Sequence, residues 1–321
     1  PQKKWIMTLA AGDQVLFYAS PDLLHWKKES GFGREAGAHG GVWECPDLFP
    51  LKDGGQTVWV LLVSVGSGAP NGGSGTQYFL GDFDGQRFRA ADSLIRWIDY
   101  GPDDYAGVTW NNIPGKKIFL GWMSNWQYAS RVPTSRWRNA MTFPRRLAIL
   151  HAGETRYVGS EPVAGLRLLE EKKKTVPLEA ADTAGDLSGR LGRLRIPCLI
   201  RVEHPVHGFS LVLRNNRNDS LVLGYDARGD RYFIDRSHSG KTEFWDGFAR
   251  VLTAPRLSHT RQQDISLIID ESSVELFADG GLTVMTAVFF PGAAYDHLLW
   301  KASPGGGAGK LTWVRLKSIW P

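Results

Sequence analysis

Residues 40–49 read Gly40-Gly41-Val42-Trp43-Glu44-Cys45-Pro46-Asp47-Leu48-Phe49. Trp, Val, Leu and Phe surround Glu44 with apolar side chains, a setting that disfavours the ionised carboxylate and so suits a general acid. The residues alone leave another reading open, a surface glutamate at the end of a strand.

Outward from this stretch the chain alternates short apolar runs with turn residues. Runs at 4–10, 14–19, 57–65, 78–82 and 117–123 are rich in β-branched and aromatic residues and read as strands. Gly12-Asp13, Gly54-Gly55, residues 70–75, Asp84-Gly85 and Pro114-Gly115 separate them. A weak repeat runs through this half. Lys4-Trp5-Ile6-Met7, Val58-Trp59-Val60-Leu61 and Ile118-Phe119-Leu120-Gly121 recur at intervals of about 55–60 residues. The first two are each followed by a strand that ends in an acidic turn, Ser20-Pro21-Asp22-Leu23 and Gly81-Asp82-Phe83-Asp84-Gly85. Units of this size match the blades of a β-propeller, and a β-sandwich with chance spacing stands as the alternative. Beyond residue 160, seven runs (209–214, 220–225, 231–235, 264–269, 273–277, 283–290 and 310–316) predict an all-β sandwich. The pattern divides the chain into a partial propeller at 1–155, a linker with a helical segment at 156–175, and a sandwich at 176–321.

The 321 residues are 42% hydrophobic and 22% charged, which excludes disorder, collagen and coiled coil. No apolar run is long enough to cross a membrane as a helix. The 38 basic residues are interspersed with 33 acidic ones. The one basic run, Lys172–Lys174, follows Glu170 and Glu171, so no nucleic-acid footprint is expected. Cys45 and Cys198 form no disulfide framework, and Pro1–Met7 does not read as a secretory leader, so the compartment stays open. No His, Cys or Asp spacing suggests a metal, no glycine loop suggests a phosphate site, and no cofactor is expected. The 13 tryptophans suit a site that holds a sugar ring.

The segment 39–49 resembles the Glu-Cys-Pro-Asp segment of glycoside hydrolase family 32, the β-fructosidases. Asp103-Asp104-Tyr105-Ala106 is similar to that family's Asp-Phe-Tyr-Ala, with Asp104 where the family usually has Phe. Residues 121–126 with Trp137-Arg138, the strand Ser272–Ala278, and the ending Leu316–Trp320 resemble further family segments. Residues 73–79 and 81–85 look most like the levanase and exo-inulinase branch. The resemblance implies a five-bladed propeller joined to a sandwich, and hydrolysis of levan, inulin or sucrose with retention of configuration. It makes Glu44 the acid/base and puts His39, Trp43, Asp103, Tyr105, Trp126 and Arg138 at the substrate. From the residues alone each of these six also reads as a packing or turn residue. Asp47 reads as a brace for its strand, and Asp226, Asp235 and Arg236 as turn and surface residues.

Retention needs a second carboxyl about 5 Å from the first. The family's Asn-Asp-Pro-Asn nucleophile segment and its Arg-Asp-Pro segment have no counterpart in this sequence, and Asp103 is the best remaining carboxylate. The expectation is therefore about two and a half blades of five, with weak or no activity for the chain by itself. Exposed blade edges should be covered by a homo-oligomer or by the missing blades. A non-catalytic fructan-binding remnant and a fructosyltransferase are the alternative functions.

Overall fold

The computed structural model describes residues 3–179, 184–303 and 307–319, and its strands follow the apolar runs. Trp320 of the family-like ending lies outside the described residues. Three antiparallel sheets come first. One holds β1 (Trp5–Ala10), β2 (Val15–Ser20) and β3 (Lys27–Phe32). The next holds β4 (Trp43–Asp53), β5 (Gln56–Val65), β6 (Gly75–Phe83) and β7 (Phe88–Ala90), with β8 (Arg96–Trp97) also on β6. The third holds β9 (Tyr105–Thr109), β10 (Lys117–Met123), β11 (Ala140–Met141), β12 (Arg145–Ala152) and β13 (Thr155–Pro162).

β5 shows why these sheets stack like blades. Successive side chains on a strand point to opposite faces. Leu61, Val63 and Val65 pack with Val15 and Phe17 of the first sheet, whereas Val58, Val60 and Leu62 pack with Phe119, Leu147 and Val158 of the third. A strand buried on both faces must be apolar at every position, as 58–63 is. The acidic turns fall at equivalent places, between β2 and β3 and between β6 and β7. The Asp22 carboxylate accepts from the backbone N–H groups of Leu24 and His25, and Asp84 from those of Gln86 and Arg87. These bonds hold both carboxyls well below the usual carboxylate range.

The outer faces of the stack are uncovered. Trp5 and Leu9 of β1 are 56% and 43% exposed, and Val108 and Trp110 at β9 are 48% and 46% exposed.

The sandwich is two six-stranded sheets, more strands than the seven the sequence suggested. One contains β14 (Glu170–Leu178), β16 (Cys198–Pro205), β21 (Gln262–Asp270), β22 (Ser273–Ala278), β23 (Thr283–Val288) and β25 (Gly309–Leu316). The other contains β15 (Ala184–Asp186), β17 (Phe209–Arg214), β18 (Ser220–Asp226), β19 (Arg231–His238), β20 (Val251–Pro255) and β24 (His297–Ala302). Their inner faces share one core, with Ile200, Leu211, Ile234, Leu276 and Met285 at its centre.

Residues 156–175 hold most of β13, a short 3-10 turn at Ala164–Leu169 where a helical segment was expected, and the start of β14. Leu166 packs with Leu199, Phe277 and Val314, so the crossing itself is core.

Candidate active site

β4 carries Glu44 near its start, and the ladder with β5 shifts register between Glu44 and Asp47. Cys45, inside that bulge, has a φ of 48°, a left-handed backbone that non-glycine residues seldom adopt. The bulge turns Glu44 and Cys45 outward while Trp43 points into the core. Ala106, just after Tyr105, has a φ of 51°, and the β9–β10 ladder shifts register between Leu120 and Trp122. Backbone strain of this kind gathers at functional sites. Two braces hold the Glu44 bulge. Asp47 accepts from the Thr109 N–H and hydroxyl, both at 2.7 Å, and Thr8 donates to the Pro46 carbonyl at 3.2 Å. Asp47 is therefore the strand brace that its position suggested.

The Tyr105 hydroxyl donates a short hydrogen bond to Glu44 Oε2. Burial, followed by the Glu44 bond and charge, pushes the tyrosine far above an ordinary phenol, so it stays a donor. The nearby Trp126 indole pulls the phenol the other way, a smaller effect than burial and Glu44. Trp126 is 63% exposed and its ring leans on Trp122 at 5.0 Å. Glu44 near the start of β4, Tyr105 at the start of β9 and Trp126 just beyond the end of β10 thus form one cluster, with Trp122 between the two aromatic rings. Its chemistry is a carboxyl held in place by a phenol, beside an open aromatic face.

Glu44 is not wrapped in apolar side chains, as its flanking residues suggested. It is exposed, and so are Val42 and Cys45. Two open surface hollows lie elsewhere. One of about 750 Å³ is lined by Trp137, Met141 and Ser272 among others, and one of about 680 Å³ by His151, His259 and Asp279 among others.

Four of the expected substrate residues stand apart from the cluster. Trp43 is fully buried, donates its indole N–H to Ala38 at 2.9 Å, and leaves room only for glycine at Gly33, where a Cβ would sit 2.2 Å from its ring. His39 is exposed but stacks flat on Trp43 at 5.1 Å and contacts the Ala36 carbonyl. Arg138 donates to the Ser130 carbonyl across its own loop. Asp103 is fully buried and faces the sandwich. It accepts from the Tyr128 hydroxyl at 2.7 Å, from the Val288 N–H at 3.0 Å and from Arg236 at 3.2 Å. Both of its carboxylate oxygens are thus taken up by partners inside the protein. Burial raises its carboxyl even with Arg236 beside it.

Arg236, read as a surface residue, is fully buried too. So are Arg145, Asp99, Asp104 and Glu275, which form a second ionic cluster between the third sheet and the sandwich. The sequence offered one readable sign of it: an acid at 275 inside the apolar strand Ser273–Ala278.

The family model "Glycosyl hydrolases family 32 N-terminal domain" matches residues 1–161, and "Glycosyl hydrolases family 32 C terminal" matches residues 166–319. A levanase of Bacillus subtilis (strain 168) is 40% identical over 334 residues, covering 99% of this chain and 49% of its own. An extracellular exo-inulinase of Aspergillus awamori is 33% identical over 95% of this chain and 60% of its own. The chain thus spans about half to three fifths of these relatives' length. Among solved structures, the exo-inulinase from Aspergillus awamori superposes with a TM-score of 0.89 at 29% identity, over 99% of this chain and 65% of that one. The β-fructofuranosidase from Schwanniomyces occidentalis, complexed with fructosyl-erythritol, gives 0.84 at 25% identity, over 98% and 68%.

Proposed function

The chain belongs to glycoside hydrolase family 32, and from that premise we propose that it carries the acid/base side of a β-fructosidase site. The observation that supports this best is the Tyr105 hydroxyl seated on Glu44 beside the open face of Trp126. In a retaining mechanism Glu44 protonates the leaving glycosidic oxygen and then takes a proton from the attacking water. Tyr105 holds one carboxylate oxygen, which leaves the other to face the sugar. Trp126 offers an aromatic face on which an apolar ring face can stack. Levan, inulin and sucrose are the proposed substrates, by kinship with levanases and exo-inulinases.

The attacking carboxylate is proposed to come from whatever covers the outer faces of the sheet stack. Asp47, Asp103 and Asp104 are each bound to other partners and are poor candidates. The covering group is either further propeller strands or a second copy of this chain. The purified 321-residue chain should therefore associate in light scattering. A monodisperse monomer with high heat stability would overturn that part of the reading. Fructose release from levan, inulin or sucrose tests the whole, and the chain by itself is expected to be slow.

A second reading, a fructan-binding protein without turnover, is favoured by the solvent-open position of Glu44. Retention of levan or inulin with no fructose released by any assembly of the chain would decide for it.

A further inference from the structure

Arg236 lies in the sandwich and is fully buried, yet it binds both segments that end at Glu44. Its Nη1 donates to Asp103 Oδ2 at 3.2 Å, to the Val288 carbonyl at 3.3 Å and to the Tyr128 hydroxyl at 3.4 Å. Its Nε donates to the Phe248 carbonyl at 2.9 Å, and the guanidinium lies 3.7 Å over the Phe248 ring. A planar fork with donors on several edges makes this set; a lysine ammonium cannot.

The two acceptors that matter are Asp103 and Tyr128. Tyr105 follows Asp103 by two positions, and Trp126 precedes Tyr128 by two. The Tyr128 hydroxyl also donates to Asp103 Oδ1 at 2.7 Å, and the Asn125 amide donates to the Pro102 carbonyl at 2.8 Å. The segments bearing Tyr105 and Trp126 are therefore tied to one another and to Arg236 before they reach the surface. Downstream Tyr105 pairs with Trp122 of β10, but Ala106 is left-handed and the register shifts between that pair and Val108–Leu120, so the regular ladder begins only beyond Tyr105.

We infer that Arg236 is a positioning residue for the acid/base, fixing through Asp103 and Tyr128 where Tyr105 and Trp126 stand against Glu44. The sandwich then does more than bury a propeller face: it sets the geometry of the proton donor. This rests on reading Glu44 as the acid/base, but the geometry can be tested without substrate.

The test is the emission of Trp126, taken as the difference between each protein and the same protein carrying Trp126→Phe. Tyr105→Phe removes the hydroxyl that Trp126 approaches and defines the full displacement. Arg236→Lys, and Asp103→Asn where Arg236→Lys fails to fold, should shift the difference spectrum in the same direction by at least half that amount. Leu166→Ala is the control. It opens the packing of the crossing segment on Leu199, Phe277 and Val314 of the sandwich, a cluster that holds no residue of either segment. It should lower the melting temperature and leave Trp126 unmoved. If Arg236→Lys or Asp103→Asn shifts Trp126 no more than Leu166→Ala does at a matched loss of melting temperature, Arg236 is only structural and the inference is overturned. Because no sugar is added, failure of the fructosidase reading leaves this result intact.

Discussion

Glu44→Gln is expected to lower fructose release from levan, inulin or sucrose by a factor of about 10²–10⁴, some 3–5 kcal/mol of barrier. The substitution keeps the size of the side chain and an oxygen that can accept from Tyr105, so only the transferable proton is lost. Glu44 is exposed at its bulge, and the braces Asp47–Thr109 and Thr8–Pro46 do not involve its side chain. The melting temperature should therefore stay close to that of the parent, which separates lost chemistry from lost structure. Tyr105→Phe should cost less, because the carboxyl remains and only its orientation is relaxed. The assay belongs on whichever assembly releases fructose, the chain alone or the chain with its outer sheet faces covered. Release within a few-fold of the parent in Glu44→Gln would remove the carboxyl from the mechanism.

The parts of this molecule that could be read in advance are those in which one short stretch carries its own reason. The run 57–65 is apolar at consecutive positions because both faces of β5 are buried, and the acidic turns at Asp22 and Asp84 fold through bonds to their own next residues. Glu44 stands out by its segment, but its surroundings were not legible. The bulge at Cys45 breaks the alternation that would otherwise place Trp43 and Glu44, so which of them meets solvent depends on one backbone angle. Asp103 and Asp104 illustrate the other limit. Side by side in a turn they resemble pocket lining, but their partners Arg236 and Arg145 come from β19 and β12, 133 and 41 positions away. No local pattern encodes that pairing.

The Arg145 cluster carries the largest expected effect on stability. One guanidinium, fully buried, donates to Asp99 and Asp104 at 2.9 Å each and to Glu275 and Thr286 at 2.7 and 2.6 Å. Removing the cation leaves three carboxyl groups without their shared donor in a dry interface, and breaking a buried pair in this way typically costs about 3–5 kcal/mol. That is a large share of the ~5–15 kcal/mol by which domains are usually stable. Arg145→Met should therefore be largely unfolded or insoluble, and urea unfolding within about 1 kcal/mol of the parent would refute the assignment. The same cluster has excess negative charge, and Asp104 takes up the difference. Its Oδ1 has no hydrogen-bond partner and lies where a Cβ on Gly121 would come within 1.8 Å, so the carboxyl occupies space that only glycine leaves. Burial, against the pull of Arg145, raises this carboxyl to about 8 from 3.8. A carboxyl raised on folding contributes most stability below its unfolded value and loses it as pH climbs through the folded one. Between pH 4 and 8 Asp104 should therefore destabilise the fold by at most about 1.4 kcal/mol per pH unit. Asp104→Asn stays neutral throughout, so its melting temperature relative to the parent should rise steadily across that range. A difference that is flat with pH would show that Asp104 is already ionised in the native state, with Arg145 alone neutralising it.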